Sequence, residues 1–148
     1  MKVRVSIETE ERKDVIKELT DHGIGISDDA RYVLSLSGEE RYLQVKDERG
    51  DRVAIRENEI VFIESFGHNI DVHATSGKFV TSERMYKLEE GLDKKCFIRI
   101  SNSVIIQKKY VTRIRPGLSM KFTLTMADGT VMTVTRSYYT VFREFFKI

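Results

Sequence analysis

The feature that most restricts this chain is a run of short apolar stretches, each closed by a turn signal, from Arg41 almost to the C-terminus. Tyr42–Lys46 and Arg52–Arg56 flank Arg49-Gly50-Asp51, a hairpin turn. Ile60–Ile63 is continuously apolar, Ile70–His73 alternates, and Ser76-Gly77 leads into Lys78–Thr81. Phe97–Ile100, Val104–Ile106 and Val111–Arg115 follow, then the turn Pro116-Gly117 and Phe122–Met126. Asp128-Gly129 joins that last run to Val131–Val134, and it is the strongest hairpin signal present. Strands recurring roughly every eight to twelve residues predict a β-dominated domain. Two helices interrupt them. One is capped by Ser82 with Met85, Leu88 and Leu92 on one face; the other is an aromatic amphipathic segment, Tyr139–Phe146.

Residues 1–40 read differently. Val3, Val5 and Ile7 alternate as in a half-buried strand, and Val15, Ile16 and Leu19 follow at helical spacing. Thr9 offers a cap, but Arg12 stands where a capping box needs Glu or Gln. Gly23 and Gly25 end the helix, and Tyr32, Leu34 and Leu36 suggest a second strand stopped at Ser37-Gly38. We expect a β-α-β extension over 1–40 that packs on the main domain, 41–148, or mediates dimerisation.

Composition excludes several classes. The 148 residues are 41% hydrophobic and 32% charged, which supports a core within a soluble surface. No apolar run approaches the ~18 residues of a membrane span, and Met1–Glu8 builds no apolar signal region. One cysteine, Cys96, forms no internal disulfide and no Cys-rich metal site. The expectation is a cytoplasmic protein without membrane insertion, cofactor or metal. Charge is unevenly spread: residues 1–92 hold 14 Lys+Arg against 20 Asp+Glu, whereas residues 93–148 hold 11 against 3. A polyanion is drawn to the second segment, although a solvated basic face has the same signature.

An enzyme finds little support. His22, His68 and His73 form no His-Glu-x-x-His pattern, and Gly-x-Ser-x-Gly and glycine-rich phosphate loops are missing. Cys96 has Lys94 and Lys95 beside it but no histidine nearby in sequence, and its apolar surroundings point to burial. A helix-based DNA reader is no better. The helix near Ser82–Leu92 carries Glu83, Glu89 and Glu90, which repel phosphates, and the terminal helix carries core-like Phe142, Phe145 and Phe146.

Loops are more informative. Ile63–Asn69, Ile98–Ser103 and Val134–Tyr139 each join an apolar strand to a sharply polar break. Arg136 can bind guanine O6 and N7 bidentately, Asn102 can pair with an adenine edge, and His68 can donate to a purine N7. Ser103, Ser137, Tyr138, Lys108 and Lys109 are natural phosphate partners around them. Structural roles compete at each position: turn hydrogen bonding for His68 and Asn102, and a surface salt bridge for Arg136. Glu64 is expected to pair with a basic residue or a turn amide. Phe66 and Tyr138 are expected to serve more in packing than in base stacking.

In this order, I-V-F-I-E-S-F-G-H-N-I, C-F-I-R-I-S-N-S-V-I-I, Y-V-T-R-I and M-A-D-G-T-V-M-T-V-T-R-S-Y-Y-T-V-F resemble the LytTR family of bacterial DNA-binding domains, from about Arg52 to Phe146. The resemblance implies an elongated multi-stranded β fold with one or two helices, reading successive major grooves with loop residues. It also implies that His68, Asn102 and Arg136 hold the base-contacting positions. Gln107 stands where members commonly carry Asn. The first 40 residues are too few for the receiver domain of many members, so control by aspartate phosphorylation in this chain is not expected. The expected function is a sequence-specific, double-stranded DNA-binding transcription regulator, a homodimer, controlled by its abundance or by a regulatory partner protein. The competing readings are a protein-interaction module whose basic half docks an acidic partner, and a β-rich RNA binder, which would expose aromatic platforms.

Overall fold

In a computed structural model the described residues are 1–7, 10–35 and 41–148, and they divide into two compact units, Met1–Glu40 and Arg41–Ile148. The first unit holds β1 (Lys2–Ser6), α1 (Glu11–Asp21), β2 (Gly25–Ile26) and β3 (Tyr32–Ser35). β1 lies between β2 and β3, parallel to both. Val3, Val5 and Ile7 are buried against Val15, Ile16 and Leu19 of α1. Arg12, which interrupts the capping box, donates instead to the carbonyls of Val5 at 2.6 Å and Ile7 at 3.3 Å. The expected Thr9 cap and the end of the second strand, Leu36 to Gly38, lie outside the described residues.

The second unit is mainly β. Its strands are β4 (Tyr42–Lys46), β5 (Arg52–Arg56), β6 (Ile60–Phe66), β7 (Asn69–Ala74), β8 (Gly77–Thr81), β9 (Phe97–Ser101), β10 (Val104–Gln107), β11 (Val111–Pro116), β12 (Phe122–Met126) and β13 (Val131–Val134). The helices are α2 (Met85–Gly91) and α3 (Tyr139–Phe146). One sheet runs β5-β4-β8-β7-β6-β10-β9 and another runs β11-β12-β13. Asp47 closes the first hairpin by accepting from the amides of Arg49 and Asp51, with Gly50 at φ +84°.

Two cores explain why the central strands read as continuous apolar runs. On β6 and β10, Val61, Phe62, Val104 and Ile106 pack with Phe122, Leu124, Met126, Met132 and Val134 of the second sheet. Ile60, Ile63 and Ile105 face the other way, toward Val45, Ile55, Met85, Leu88 and Leu92. Strands buried on both faces lose the polar alternation. α3 seals the first core: Phe142 is fully buried, 5.2 Å from the Phe122 ring and 4.5 Å from Phe146.

Two buried polar groups hold connections. Gln107 donates to the carbonyls of Glu57 (2.9 Å) and Ile60 (2.7 Å), fixing the 3-10 turn Glu57–Glu59 against β10. The Glu57 carboxylate accepts from Arg41 at 3.2 Å and from the Asp93 amide at 3.3 Å. Ser82 does not cap α2, which begins later, after Arg84; Thr81 Oγ1 accepts from the Glu83 amide and so holds the approach as a turn. Phe66 is not a packing residue either. The β6–β7 hairpin runs past the last pairing of β6 with β10, at Glu64, and leaves Phe66 57% exposed.

Candidate nucleic-acid interface

Strand register decides which turns meet. β10 runs antiparallel to β6 with Val104 opposite Glu64, and to β9 with Val104 opposite Ser101. The β6–β7 turn holding His68 and the β9–β10 turn holding Asn102 therefore lie at the same end of the sheet. The Ser65 amide ties them together by donating to the Ser103 carbonyl at 2.8 Å. β13 reaches that end as well: the Thr135 amide and hydroxyl donate to the Ile100 carbonyl at 3.0 and 3.4 Å. The next residues, Arg136–Tyr138, form a 3-10 turn that leads into α3.

The Asn102 turn is held rigidly. Ser101 Oγ accepts from the Ser103 amide at 3.2 Å and lies 3.3 Å from Ser103 Oγ. Arg99 donates through Nε to the Ser101 carbonyl at 3.1 Å and through Nη2 to the Asn102 carbonyl, while Nη1 pairs with Glu89 at 3.1 Å. The Tyr138 hydroxyl donates to Asn102 Oδ1 at 3.1 Å and joins the second turn to the third. Asn102 and its exposed amide group thus stand on a scaffold built from β9, α2 and the start of α3.

His68 and Arg136 are exposed, and neither side chain has a hydrogen bond or ion pair among the described residues. The salt bridge that competes for Arg136 is therefore not formed within them. Glu64 also lacks an ion pair among the described residues; it sits in register between Asp71 and Val104. The end of the unit thus presents a histidine, a carboxamide and a guanidinium, with Ser103, Ser137 and Tyr138 on the same turns.

Lys108 and Lys109 do not join this group. They occupy a 3-10 turn beyond the far end of β10, where Gln107 pairs with Phe97. At about 3.3 Å per residue, they lie on the order of 20 Å from Asn102. Lys108 Nζ donates to the Phe145 carbonyl at 3.3 Å and sits 5.2 Å from the Phe145 ring centroid; Lys109 Nζ lies 5.1 Å from that of Tyr110. Arg99 was not singled out from sequence. The available signal was a cation between buried Ile98 and Ile100, placed beside a Ser-Asn-Ser break.

Charge supports an anionic partner for the second unit: residues 41–148 carry 19 Lys+Arg against 13 Asp+Glu, and residues 1–40 carry 6 against 10. Among the described residues no three His, Cys, Asp or Glu side chains converge as a metal site. Burial, with Asp93 beside it, pushes the Cys96 thiol above its ordinary pKa, which disfavours a nucleophilic thiolate. No helix among the described residues is long and apolar enough to cross a membrane.

Known proteins share the fold of the second unit. The profile of the LytTr DNA-binding domain matches residues 50–147. The solved LytTr DNA-binding domain from Bacillus cereus superposes with a TM-score of 0.68 at 22% identity, covering 75% of this chain and all of that one. Similar curated proteins include the transcriptional regulatory protein LytR of Staphylococcus aureus, 26% identical over 60% of this chain, and the sensory transduction protein LytT of Bacillus subtilis, 23% identical over 58%. The chain spans only 36% of the length of each. With the profile covering about two-thirds of its length and the fold matching, this chain belongs to the LytTR family of DNA-binding domains.

Proposed function

We propose that this chain is a sequence-specific, double-stranded DNA-binding transcription regulator that reads successive major grooves with His68, Asn102 and Arg136. The observation that carries the reading is Arg136. Its guanidinium is exposed and without a partner among the described residues, on a turn pinned to β9 through Thr135. A pre-positioned free guanidinium suits the O6/N7 edge of guanine. Ser103, Ser137 and Tyr138 serve as phosphate contacts at this end, and Lys108 and Lys109 as contacts to more distant backbone.

The chain acts as a homodimer on paired sites through residues 1–40, under the influence of a regulatory partner protein. Support for self-association comes from the small core of that unit, in which Val3, Val5 and Ile7 are the buried apolar residues among those described, and from the exposed Tyr32 and Val33 on β3. A unit of this size rarely stands on its own core.

The test is selection of bound duplexes from a randomised pool, followed by titration of the recovered sequence. Arg136→Ala should weaken specific binding by roughly 1–3 kcal/mol and relax base preference at one position. Unchanged specific affinity would sink the reading. Weak binding with no recurring sequence would favour a basic surface that docks an acidic protein.

A further inference from the structure

The loop from Gly117 to Lys121 joins β11 to β12. Its tip exposes two apolar side chains: Leu118 is 90% exposed and Met120 is 45% exposed. Its backbone is held in an unusual form. Ser119 and Met120 are consecutive non-glycine residues in the left-handed region, at φ +60° and +57°. Such residues are costly and persist where surrounding contacts impose them, often at binding sites. Here the base of the loop is closed by the Gly117 amide donating to the Lys121 carbonyl at 2.8 Å. A Cβ on Gly117 would approach that carbonyl oxygen to 3.3 Å, so the closure favours glycine.

Register places this loop beside Arg136. Phe122 pairs with Val134 on β13 and with Pro116 on β11. The loop therefore enters β12 at the end of the sheet where Thr135 and Arg136 follow β13. Arg115 precedes the loop on β11, and neither it nor Lys121 has an ion pair or side-chain hydrogen bond among the described residues. An apolar tip between two free cations is a poor arrangement for a solvated loop, and a protein partner rich in acidic groups would leave Leu118 unused. It does suit duplex DNA. Lys and Arg hold the phosphate walls while Leu or Met enters the minor groove and wedges against a base step.

We propose that the Gly117–Lys121 loop is a further DNA-contacting element, with Leu118 and Met120 as a minor-groove wedge and Arg115 and Lys121 on the flanking phosphates. The inference rests on the DNA-reading role of Arg136 and extends the contact to the groove beside it. It makes Leu118 a determinant of which base steps tolerate binding, since flexible pyrimidine–purine steps open most easily.

The experiment uses the full chain and a duplex of the sequence recovered from a randomised pool, with 2-aminopurine placed at successive positions. Leu118→Ala should weaken binding on the order of tenfold, the scale of losing one buried leucine contact, and abolish the 2-aminopurine response at one step. Leu118→Lys should also weaken binding to this duplex, although it adds a positive charge. Leu118 is so exposed that neither change should disturb the fold, which circular dichroism checks. If Arg136→Ala weakens binding but both Leu118 variants bind as the parent, or Leu118→Lys binds more tightly, the wedge is wrong and the DNA-reading role stands. A weakened Leu118→Ala whose sedimentation shifts in parallel would make the loop a contact between copies and overturn the wedge. If no duplex is recovered, or Arg136→Ala has no effect, the reading and the wedge fall together.

Discussion

The Tyr138 hydroxyl donates to Asn102 Oδ1 at 3.1 Å, across 36 residues of sequence, and so couples the turn before α3 to the turn between β9 and β10. The bond orients the Asn102 carboxamide by occupying its oxygen, leaving its amide nitrogen free to donate. Tyr138→Phe should therefore leave the fold intact and lower specific affinity about two- to tenfold, the range for one hydrogen bond. Binding to random duplex should change less. Equal losses on both duplexes would confine Tyr138 to its phosphate contact, with no part played through Asn102.

Gln107 is the polar group on which the packing of the 3-10 turn before β6 depends. Gln107→Leu leaves the Ile60 carbonyl without its side-chain donor in a buried site, while the Glu57 carbonyl keeps the Ile60 amide. At about 1–3 kcal/mol for one stranded group, a loss of that size is expected in urea unfolding. A variant as stable as the parent would mean that water takes over the Ile60 carbonyl.

Much of this architecture was readable in advance, for a physical reason. The pairs Tyr42–Lys46 with Arg52–Arg56 and Phe122–Met126 with Val131–Val134 carry both period-two patterning and turn chemistry, so local and tertiary preferences agree. The start of α2 was misplaced because Ser82 resembles a cap, whereas Thr81 already holds the preceding turn. Phe66 was misread because hydrophobicity says nothing of where a hairpin outruns its neighbour. At the candidate site, the polar breaks at His68, Asn102 and Arg136 could be seen in sequence. Their meeting at one end depends on antiparallel register between strands far apart in the chain, and so does the distance of Lys108 and Lys109. Arg99 was hidden for the same reason: its partners Glu89 and the Asn102 carbonyl come together only after β9 packs beside α2.

His73 stacks on Phe62, with ring centroids 4.1 Å apart, and burial lowers its pKa, with Lys78 adding to the effect against the opposing charges of Asp71, Glu64 and Asp128. The folded state therefore favours the neutral ring. The sign follows: the unfolded chain binds the proton first, so stability is complete above about 6.5 and falls as pH drops below it toward the lower folded value. His73→Phe keeps the stack and removes the titration. Urea midpoints measured on either side of that pH should diverge for the parent and converge for the variant. An unchanged pH response would assign the effect to other groups.

Lys108 and Lys109 adjoin each other in sequence but have different neighbours, and their variants should separate. Lys108 binds the Phe145 carbonyl in the last turn of α3 and lies near the Phe145 and Phe146 rings, at 5.2 and 5.5 Å from their centroids. A cation there complements the C-terminal carbonyls of the helix. Lys108→Ala should cost about 1 kcal/mol of stability, because both contacts are lost. Lys109 contacts only the Tyr110 ring among the described residues, so Lys109→Ala should leave stability nearly unchanged. If each lysine also neutralises one phosphate, either variant should lower the slope of log K against log salt by about 0.9 on specific and random duplex alike. A change in stability with no change in slope for Lys108→Ala would make Lys108 a clamp for α3 alone and confine the phosphate contact to Lys109.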